Sequence, residues 1–292
     1  MEQVGIASKI RNAFMVRRLL KRIRPDVVHA HVVAGVVYAY VSRPGLRYRI
    51  IATGHTAFRR STVLLRLADR VIAVGSENAR TLMLRGIPQR KITIARNAPL
   101  DSPRRKDLND APQSALLRPA VTTICGMYLR KGVDTLIGAF ESIASRFPDA
   151  QLYLVGAGPD EQTFRNQAAA SEFSDRIHFL GFRKDVGQIL EASDIFVLAS
   201  RHDPFPLVIA EARDAGCAVI ASRVDGIPEA LDYGRAGILV PPDDARLLAA
   251  EVMSLLSDGA ALEHWQSAAR AGLDEYRLPR LIDDTDRIYA NA

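Results

Sequence analysis

The sequence predicts an α/β protein built from two doubly wound parallel sheets, the first of them incomplete. Two observations lead to this fold class. Short β-branched and apolar runs alternate with helical patterns along most of the 292 residues, which is typical of parallel βαβ units. One stretch, residues 97–119, interrupts the alternation and is rich in proline and charge, which is the composition of a linker between domains.

The two blocks on either side of this stretch have their own predicted strands. In the first block they are 27–28, 48–51, 71–74 and 92–94, and in the second they are 121–125, 151–155, 176–180, 195–198 and 218–221. The second set consists of near-continuous apolar runs, as expected of strands buried on both faces of a sheet. Helical patterns follow at 133–146, 160–170, 186–192 and 207–215, and the tail from about 245 is helical. Ligands bind such sheets at the carboxyl ends of the strands, so the residues after strands matter most.

Composition excludes several classes of protein. A hydrophobic fraction of 48% and a charged fraction of 25% are ordinary for a soluble globular chain. No apolar run reaches the roughly 18 to 20 residues of a membrane span, and the start lacks the apolar core of a signal peptide. We therefore expect a cytoplasmic protein. Cys125 and Cys217 lie far apart without metal-ligand spacing, which indicates buried small apolar residues in a reducing compartment.

The net charge of +6 is concentrated near the start, where residues 9–24 hold seven cations and no acid. Apolar residues interleave with the cations at helical spacing, which predicts a basic amphipathic helix. This helix could lie on an anionic membrane surface at the inner face of the membrane. The alternative is a helix packed on a sheet with a basic outer face. We expect no nucleic-acid partner, because Phe14 is the only aromatic residue in this stretch.

The first chemical motif is GMYLRKG, directly after the first strand of the second block. It supplies the glycine bend Gly126 and the cations Arg130 and Lys131 at the head of a helix. Glycine allows close backbone approach, a helix N-terminus offers free N–H groups, and cations neutralise charge, so this loop suits a phosphate. The alternative is a solvated basic loop. A second glycine turn, with Gly156 and Gly158, follows the next strand.

The third motif is the most specific. The run ASRHDPFPLVIAEA follows an apolar strand and places Asp203 at the mouth of a helix and Glu211 within it. Carboxylates accept hydrogen bonds only, which suits pairs of sugar or ribose hydroxyls. The alternatives are an N-cap role for Asp203 and an exposed helical charge for Glu211. The latter is disfavoured, since an unpaired acid in an apolar helix is costly when buried. A further carboxylate and glycine bend, VDGIPE, follows the next strand at the same sheet edge.

Taken in order, these motifs resemble the glycosyltransferase group 1 family, the retaining family 4 enzymes with the GT-B fold. The likeness rests on GMYLRKGVDTLIGAF, LYLVGAGP, RIHFLGF, LEASDIFVLAS, DPFPLVIAEARDAGCAVIASRVDGIPE and GILVPPDD, and on PDVVHAH, ATGHTAF, ADRVIAVGSENAR and KITIARN in the first block. It implies two Rossmann-like domains facing a cleft. We expect residues 1–110 to form a truncated acceptor-side domain with linker, 111–275 the donor-binding domain, and 276–292 a helix packing back on the N-terminal domain.

The resemblance also implies roles for single residues. Lys131 matches the family lysine on the donor diphosphate, and Met127 stands where arginine is usual, so Arg130 is a substitute candidate. Asp203 and Glu211 match two family glutamates, the first facing the transferred sugar and the second the ribose. The remaining candidates are His55 near the sugar's primary hydroxyl, Phe182 by the base, Gly126, Gly156 and Gly158 in the phosphate loops, and Phe205, Pro206 and Leu207, whose amides approach sugar and phosphates.

The expected function is therefore transfer of a hexose from a nucleoside diphosphate sugar to a glycan or lipid-linked acceptor, with retention of configuration. No cofactor and no metal are expected. Cell-envelope polysaccharide biosynthesis is the expected setting. The alternative is a nucleotide-sugar-binding protein without transferase activity. It is motivated by Met127, by Asp203 and by the front of the chain, where only about two dozen residues precede PDVVHAH, so that the family's first strand and glycine-rich loop are missing.

Overall fold

The computed structural model describes residues 6–55, 60–101 and 116–291. They form two compact units, one of residues up to Asn97 together with Leu281–Ala292, and one of Ala98–Arg280. This division differs from the predicted bounds at 110 and 275. The reason is a local pairing, since Leu100 N donates to Tyr276 O at 3.1 Å and Leu278 N donates to Leu100 O at 3.0 Å. Residues 98–101 are thereby tied to 276–278 within the second unit.

The first unit has one parallel sheet. Its strands are β1 (Val27–Ala30), β2 (Arg49–Gly54), β3 (Arg70–Ala73) and β4 (Ile92–Ile94), and they lie in chain order. The helices described for this unit are α1 (Ile6–Ile23), α2 (Val33–Ser42), α3 (Ser76–Leu84) and, from Leu281 onwards, α11 (Leu278–Ala290). The parallel pairing follows from the helical crossovers between successive strands.

Apolar residues cover this sheet on both faces. Leu20 of α1 and Val36 of α2 belong to one cluster with strand residues such as Ile50. A second cluster joins Ile51 and Ile72 with Ile288 of α11. Because neighbouring residues of a strand point to opposite faces, Ile50 and Ile51 enter different clusters.

The second unit has a parallel sheet of six strands in the order β10-β9-β8-β5-β6-β7. They are β5 (Ala120–Ile124), β6 (Gln151–Val155), β7 (Ile177–Gly181), β8 (Ile195–Leu198), β9 (Ala218–Ser222) and β10 (Ile238–Val240). The chain starts in the middle of the sheet and reverses direction between β5 and β8. At such a reversal the loops leave the sheet to opposite sides and open a crevice at its carboxyl edge.

Helices flank the second sheet. They are α4 (Val133–Arg146), α5 (Glu161–Ala169), α6 (Val186–Glu191), α7 (Leu207–Ala215), α8 (Ile227–Ala230), α9 (Ala245–Ser257) and α10 (Gly259–Ala269). One apolar cluster contains Phe140 and Val197, and another contains Phe196 and Ile209, so both faces of β8 are buried. The predicted α/β class with two parallel sheets is confirmed; the second sheet is doubly wound, whereas the four strands described in the first lie in chain order without a reversal. Within the described ranges, no helix has both the length and the apolar character of a membrane span.

Candidate functional site

A cavity of about 540 Å³ opens at the carboxyl edge of the second unit's sheet. It lies where the strand order reverses, which is the position expected for a ligand in this fold. The structure brings most of the sequence-predicted donor residues into its wall. These are Gly126, Lys131, Gly156, Phe182, Asp203, Phe205, Pro206, Leu207 and Glu211.

The loop after β5 reaches the loop after β8 through a glycine. Gly132 has a φ of 65°, and a Cβ at this position would lie 1.9 Å from the carbonyl oxygen of Ala199. Only glycine tolerates both the left-handed backbone and this close approach. Lys131 ends the short 3₁₀ turn directly before it. The contact therefore sets Lys131 beside the residues that follow β8.

Lys131 and Asp203 form an ion pair inside the cavity. The Lys131 ammonium hydrogen-bonds to Oδ2 of Asp203, and the two side chains are only 13% and 8% exposed. The carboxylate thus faces Lys131, while Pro206 occupies the N-cap of α7 and contributes no side-chain cap. The N-cap role considered for Asp203 is not what the structure shows. A buried charge requires such a partner, because an unpaired charge in this setting is costly.

Glu211 lies one turn into α7, in its partly buried part, and lines the same cavity. It is therefore not the fully solvated helical charge considered as an alternative. Leu207 and Val208 open the helix and also line the cavity. The N–H groups of a first helical turn have no intrahelical acceptor and attract anions. Carboxylates and backbone N–H donors therefore lie in the same wall of the cavity.

Two predicted donor residues, Arg130 and Gly158, do not line the cavity. The Arg130 guanidinium donates to the carbonyl of His202 at 3.3 Å and lies 5.4 Å from the centre of the Tyr128 ring. At Gly158, a Cβ would lie 2.4 Å from the carbonyl oxygen of Met127. Gly158 therefore permits close backbone packing beneath the loop. Met127 itself is fully buried in the core of this unit.

Sequence reasoning did not assign three residues at or beside this site. Cys125 and Lys184 line the cavity, and Asp225 accepts a hydrogen bond from the Asp203 backbone. Burial raises the pKa of the Cys125 thiol to about 11, so it is protonated at neutral pH. The available signal was position, since Cys125 directly follows β5, Lys184 lies just after β7 and Asp225 lies just after β9.

In the first unit, His55 belongs to a group of three histidines at the carboxyl ends of β1 and β2. Its Nε2 lies 3.2 Å from Nδ1 of His31. The third member, His29, contacts the hydroxyl of Tyr289 and that of Thr53, both at 2.7 Å. Burial, and then the His31 charge, lowers the pKa of His55. Of these three histidines, only His55 was predicted from the sequence to be a site residue.

No three His, Cys, Asp or Glu side chains in the described part of the chain gather closely enough to hold a metal ion.

Two family models match consecutive parts of the chain. Residues 5–98 match "Glycosyltransferase Family 4" and residues 118–258 match "Glycosyl transferases group 1". The chain belongs to these glycosyltransferase families. The resemblance inferred from the motifs is thereby confirmed, and the two matches fall on the two sheets of the chain.

Curated relatives of this chain include a synthase and a mannosyltransferase. N-acetyl-alpha-D-glucosaminyl L-malate synthase of Bacillus anthracis is 32% identical over 160 residues, which cover 54% of this chain and 42% of the relative. Phosphatidyl-myo-inositol mannosyltransferase of Mycolicibacterium smegmatis is 32% identical over 163 residues, which cover 55% and 42%. The match therefore spans less than half the length of these two relatives.

Solved structures agree with the fold. HepE (Alr3699) of Anabaena, in complex with UDP and glucose, has a TM-score of 0.82 at 20% identity, with coverage of 100% of this chain and 84% of that chain. Sucrose-phosphate synthase of Thermosynechococcus elongatus has a TM-score of 0.79 at 21% identity, with 98% and 78% coverage. The two parallel sheets with flanking helices match the GT-B architecture.

Proposed function

We propose that this glycosyltransferase binds a nucleoside diphosphate sugar in the cavity of its second unit and transfers the hexose, with retention, to a glycan or lipid-linked acceptor. The observation that carries the proposal is the buried pair of Lys131 and Asp203 at the reversal of the sheet. A cation that suits a phosphate and a carboxylate that suits sugar hydroxyls lie side by side there. The HepE complexes with UDP and with UDP-glucose support a nucleotide sugar as donor.

Donor recognition divides among three parts of the wall. Lys131 and the first-turn amides of α7 meet the diphosphate, where both a cation and helix N–H groups favour negative charge. Asp203 accepts from hydroxyls of the sugar, and Glu211 from those of the ribose. Phe182, 69% exposed at the cavity edge, offers a face on which a base can stack.

The chemical step develops charge on the leaving diphosphate. The bond between the anomeric carbon and the β-phosphate oxygen breaks, and its electron pair stays on that oxygen. The acceptor hydroxyl attacks the same face of the sugar, and its proton passes to the leaving phosphate. Stabilising this oxygen is the largest single task of the site, and we assign it to Lys131 and α7. No metal and no cofactor enter this scheme. His55, in the first unit, stays a candidate from the sequence for contact with the sugar's primary hydroxyl.

The test combines binding and turnover. Calorimetry with UDP, UDP-glucose and a panel of other nucleotide sugars measures donor recognition. Incubation with the best donor and a set of glycan and lipid-linked acceptors measures transfer, and the anomeric coupling constant of the product reports retention. Binding of a donor without transfer or donor hydrolysis would favour the binding-protein alternative. Absence of any binding would rule out both.

We further propose that the first unit rests on an anionic membrane surface, which would place a lipid-linked acceptor at the enzyme and the protein in the cytoplasm on the inner face. Helix α1 carries exposed apolar side chains, with Phe14 71% and Ile23 58% exposed. Arg11, Arg18 and Lys21 are exposed along the same helix. Exposed apolar residues beside cations are typical of helices that bind an anionic bilayer interface.

A basic cavity of about 460 Å³ in the same unit supports this proposal. Its wall contains the cations Arg49, Arg70, Arg90 and Lys91 at the amino ends of β2, β3 and β4. The single acid in that wall, Asp69, is already paired with Arg43 at 3.1 Å. Four cations beside one acid that is already paired suit the phosphates of anionic lipids.

Vesicle sedimentation tests the membrane proposal. Wild-type protein should sediment with vesicles that contain phosphatidylglycerol and stay in solution with pure phosphatidylcholine. Phe14→Ser with Ile23→Ser, and separately Arg49→Gln with Arg90→Gln, should each weaken this binding. Arg146→Gln, at an exposed position of the second unit, is the control for charge. Equal sedimentation of all variants would contradict the proposal.

A further inference from the structure

Asp225 holds the backbone of the loop that carries Asp203. Its Oδ2 accepts a hydrogen bond from the Asp203 N–H at 2.8 Å. One residue later, Gly226 N donates to the carbonyl oxygen of Asp203 at 3.2 Å. The loop after β9 therefore binds both the N–H and the C=O of one residue in the loop after β8. A carboxylate acceptor makes the first of these bonds a strong, charge-assisted one.

The backbone at Asp225 indicates why its side chain matters. Its φ is 45°, in the left-handed region that side chains other than those of Asn and Asp rarely adopt. Glycine would adopt this conformation more easily. A Cβ on the next residue, Gly226, would lie 2.0 Å from the carbonyl oxygen of Pro204, so the two loops are in close contact. In this unfavoured conformation, the Asp225 carboxylate lies within hydrogen-bond distance of the Asp203 backbone N–H.

We propose that Asp225 is a positioning residue for recognition of the transferred sugar, an inference that rests on the proposed donor site. By fixing the peptide of Asp203, it sets where the Asp203 carboxylate and the following cavity residue Phe205 stand. Lys131 reaches the cavity from the loop after β5, and the first-turn amides of α7 are held by the helix, so the diphosphate contacts depend less on this bond than the sugar contact of Asp203 does. Loss of Asp225 should therefore weaken the sugar contacts and spare the nucleotide contacts.

Two substitutions separate this role from a role in folding. Asp225→Gly removes the acceptor but eases the left-handed backbone, so relief of strain partly offsets the lost hydrogen bond and the thermal unfolding midpoint should stay close to that of the wild type. Asp225→Asn keeps an oxygen that can accept from Asp203 N–H. Asp232→Gly is the matched control, because Asp232 also has a left-handed φ of 49° and pairs with Arg235 outside the cavity wall.

Calorimetry with UDP and with UDP-, GDP- and ADP-sugars supplies the measurement. For the sugar that the wild type binds best, Asp225→Gly should raise Kd roughly fivefold or more, as expected for a lost hydrogen bond to a charged group. The Kd of the free nucleoside diphosphate should change by less than about twofold. Asp225→Asn should restore most of the sugar affinity, and Asp232→Gly should match the wild type.

The outcomes are distinguishable. If the wild type binds no nucleotide sugar, the proposed function fails and this inference fails with it. If the wild type binds and Asp225→Gly leaves sugar affinity unchanged, only the inference is overturned. Equal losses for the nucleotide sugar and the free nucleotide, or no recovery in Asp225→Asn, would also overturn it, because either result indicates a general structural role.

Discussion

Lys131 and Asp203, 72 positions apart in sequence, are ion-paired within one cavity. One follows β5 and the other follows β8, the two central strands between which the sheet reverses. A diphosphate that enters the cavity brings negative charge to Lys131. It therefore either shares the Lys131 ammonium with the Asp203 carboxylate or displaces that carboxylate. This relationship leads to the first two predictions.

Replacing Lys131 by alanine should weaken donor binding much more than replacing Arg130. A hydrogen bond to a charged group contributes about 1.5–3 kcal/mol, so Lys131→Ala should raise the Kd of UDP roughly 10- to 100-fold. Arg130→Ala removes the same charge from an adjacent residue outside the cavity wall and should change Kd by less than about threefold. Calorimetry with UDP measures both. Equal effects of the two variants would contradict the assignment of the phosphate contact to Lys131.

Asp203→Asn should make the protein less stable but more responsive to nucleotide. The substitution removes the carboxylate that pairs with the largely buried Lys131 ammonium. The loss of this charged partner lowers the free energy of unfolding by about 1–3 kcal/mol. A bound diphosphate supplies that partner, so saturating UDP should raise the unfolding midpoint more in Asp203→Asn than in the wild type. Differential scanning calorimetry with and without UDP provides the comparison. An equal increase in both proteins would show that the diphosphate does not compete for Lys131.

Gly132→Ala should destabilise the second unit by about 2 kcal/mol or more, since it combines a left-handed φ with a clash against backbone. The Cβ would lie 1.9 Å from the Ala199 carbonyl oxygen. Gly259→Ala is the control, because nothing lies within 4 Å of a Cβ there. Urea unfolding followed through Trp265, which packs against the core of this unit, gives the free energies. A neutral Gly132→Ala would mean that the loops after β5 and β8 can separate freely.

The first unit should lose stability as the pH falls from about 6.5 to about 4. Burial, and then the charges of His31 and His55, lowers the pKa of His29 from 6.5 to about 4. Between these values the unfolded chain binds a proton that the folded chain does not, so the stabilisation present above pH 6.5 is lost on acidification. His55, whose pKa is lowered in the same direction, adds to the effect.

Hydrogen exchange of the β1 and β2 amides, corrected for the intrinsic rate at each pH, measures this loss. His29→Gln keeps polar groups near Thr53 and Tyr289 but cannot take up the proton, so its opening free energy should depend less on pH. His264→Gln changes an exposed histidine of the second unit and should follow the wild type. A wild-type profile that is flat between pH 6.5 and 4 would contradict the prediction.

The sequence anticipated much of the second unit because its strands are apolar on both faces and its turns contain glycine. The predicted strand 151–155 has the observed bounds of β6, and the predicted helix 207–215 those of α7. In the first unit, the strand predicted at 48–51 is observed at Arg49–Gly54, since Ala52 and Gly54 do not look like strand residues by local preference. The helical tail predicted from about residue 245 is divided into separate helices, and the first division lies at Asp258, whose side chain caps the start of α10.

Local sequence patterns did not predict which residues that are far apart in sequence contact one another. Spacing alone offers Arg130 and Lys131 as two neighbouring cations of one loop, and of the two only Lys131, at the end of the 3₁₀ turn, lines the cavity. Likewise, the sequence places Asp225 near the same sheet edge as Asp203 without indicating that its carboxylate binds the Asp203 backbone. The grouping of His29 with Tyr289 depends on α11 returning from the far end of the chain.

The amino-acid sequence alone determined the α/β class, the family, and the loops that hold the candidate site. These follow from periodic burial and from glycines and prolines, which act over a few residues. Tertiary structure decided which member of each loop faces the cavity and which charges pair. Those outcomes depend on strand order, which brings the ends of β5, β8 and β9 together, and on the cost of burying a charge without a partner.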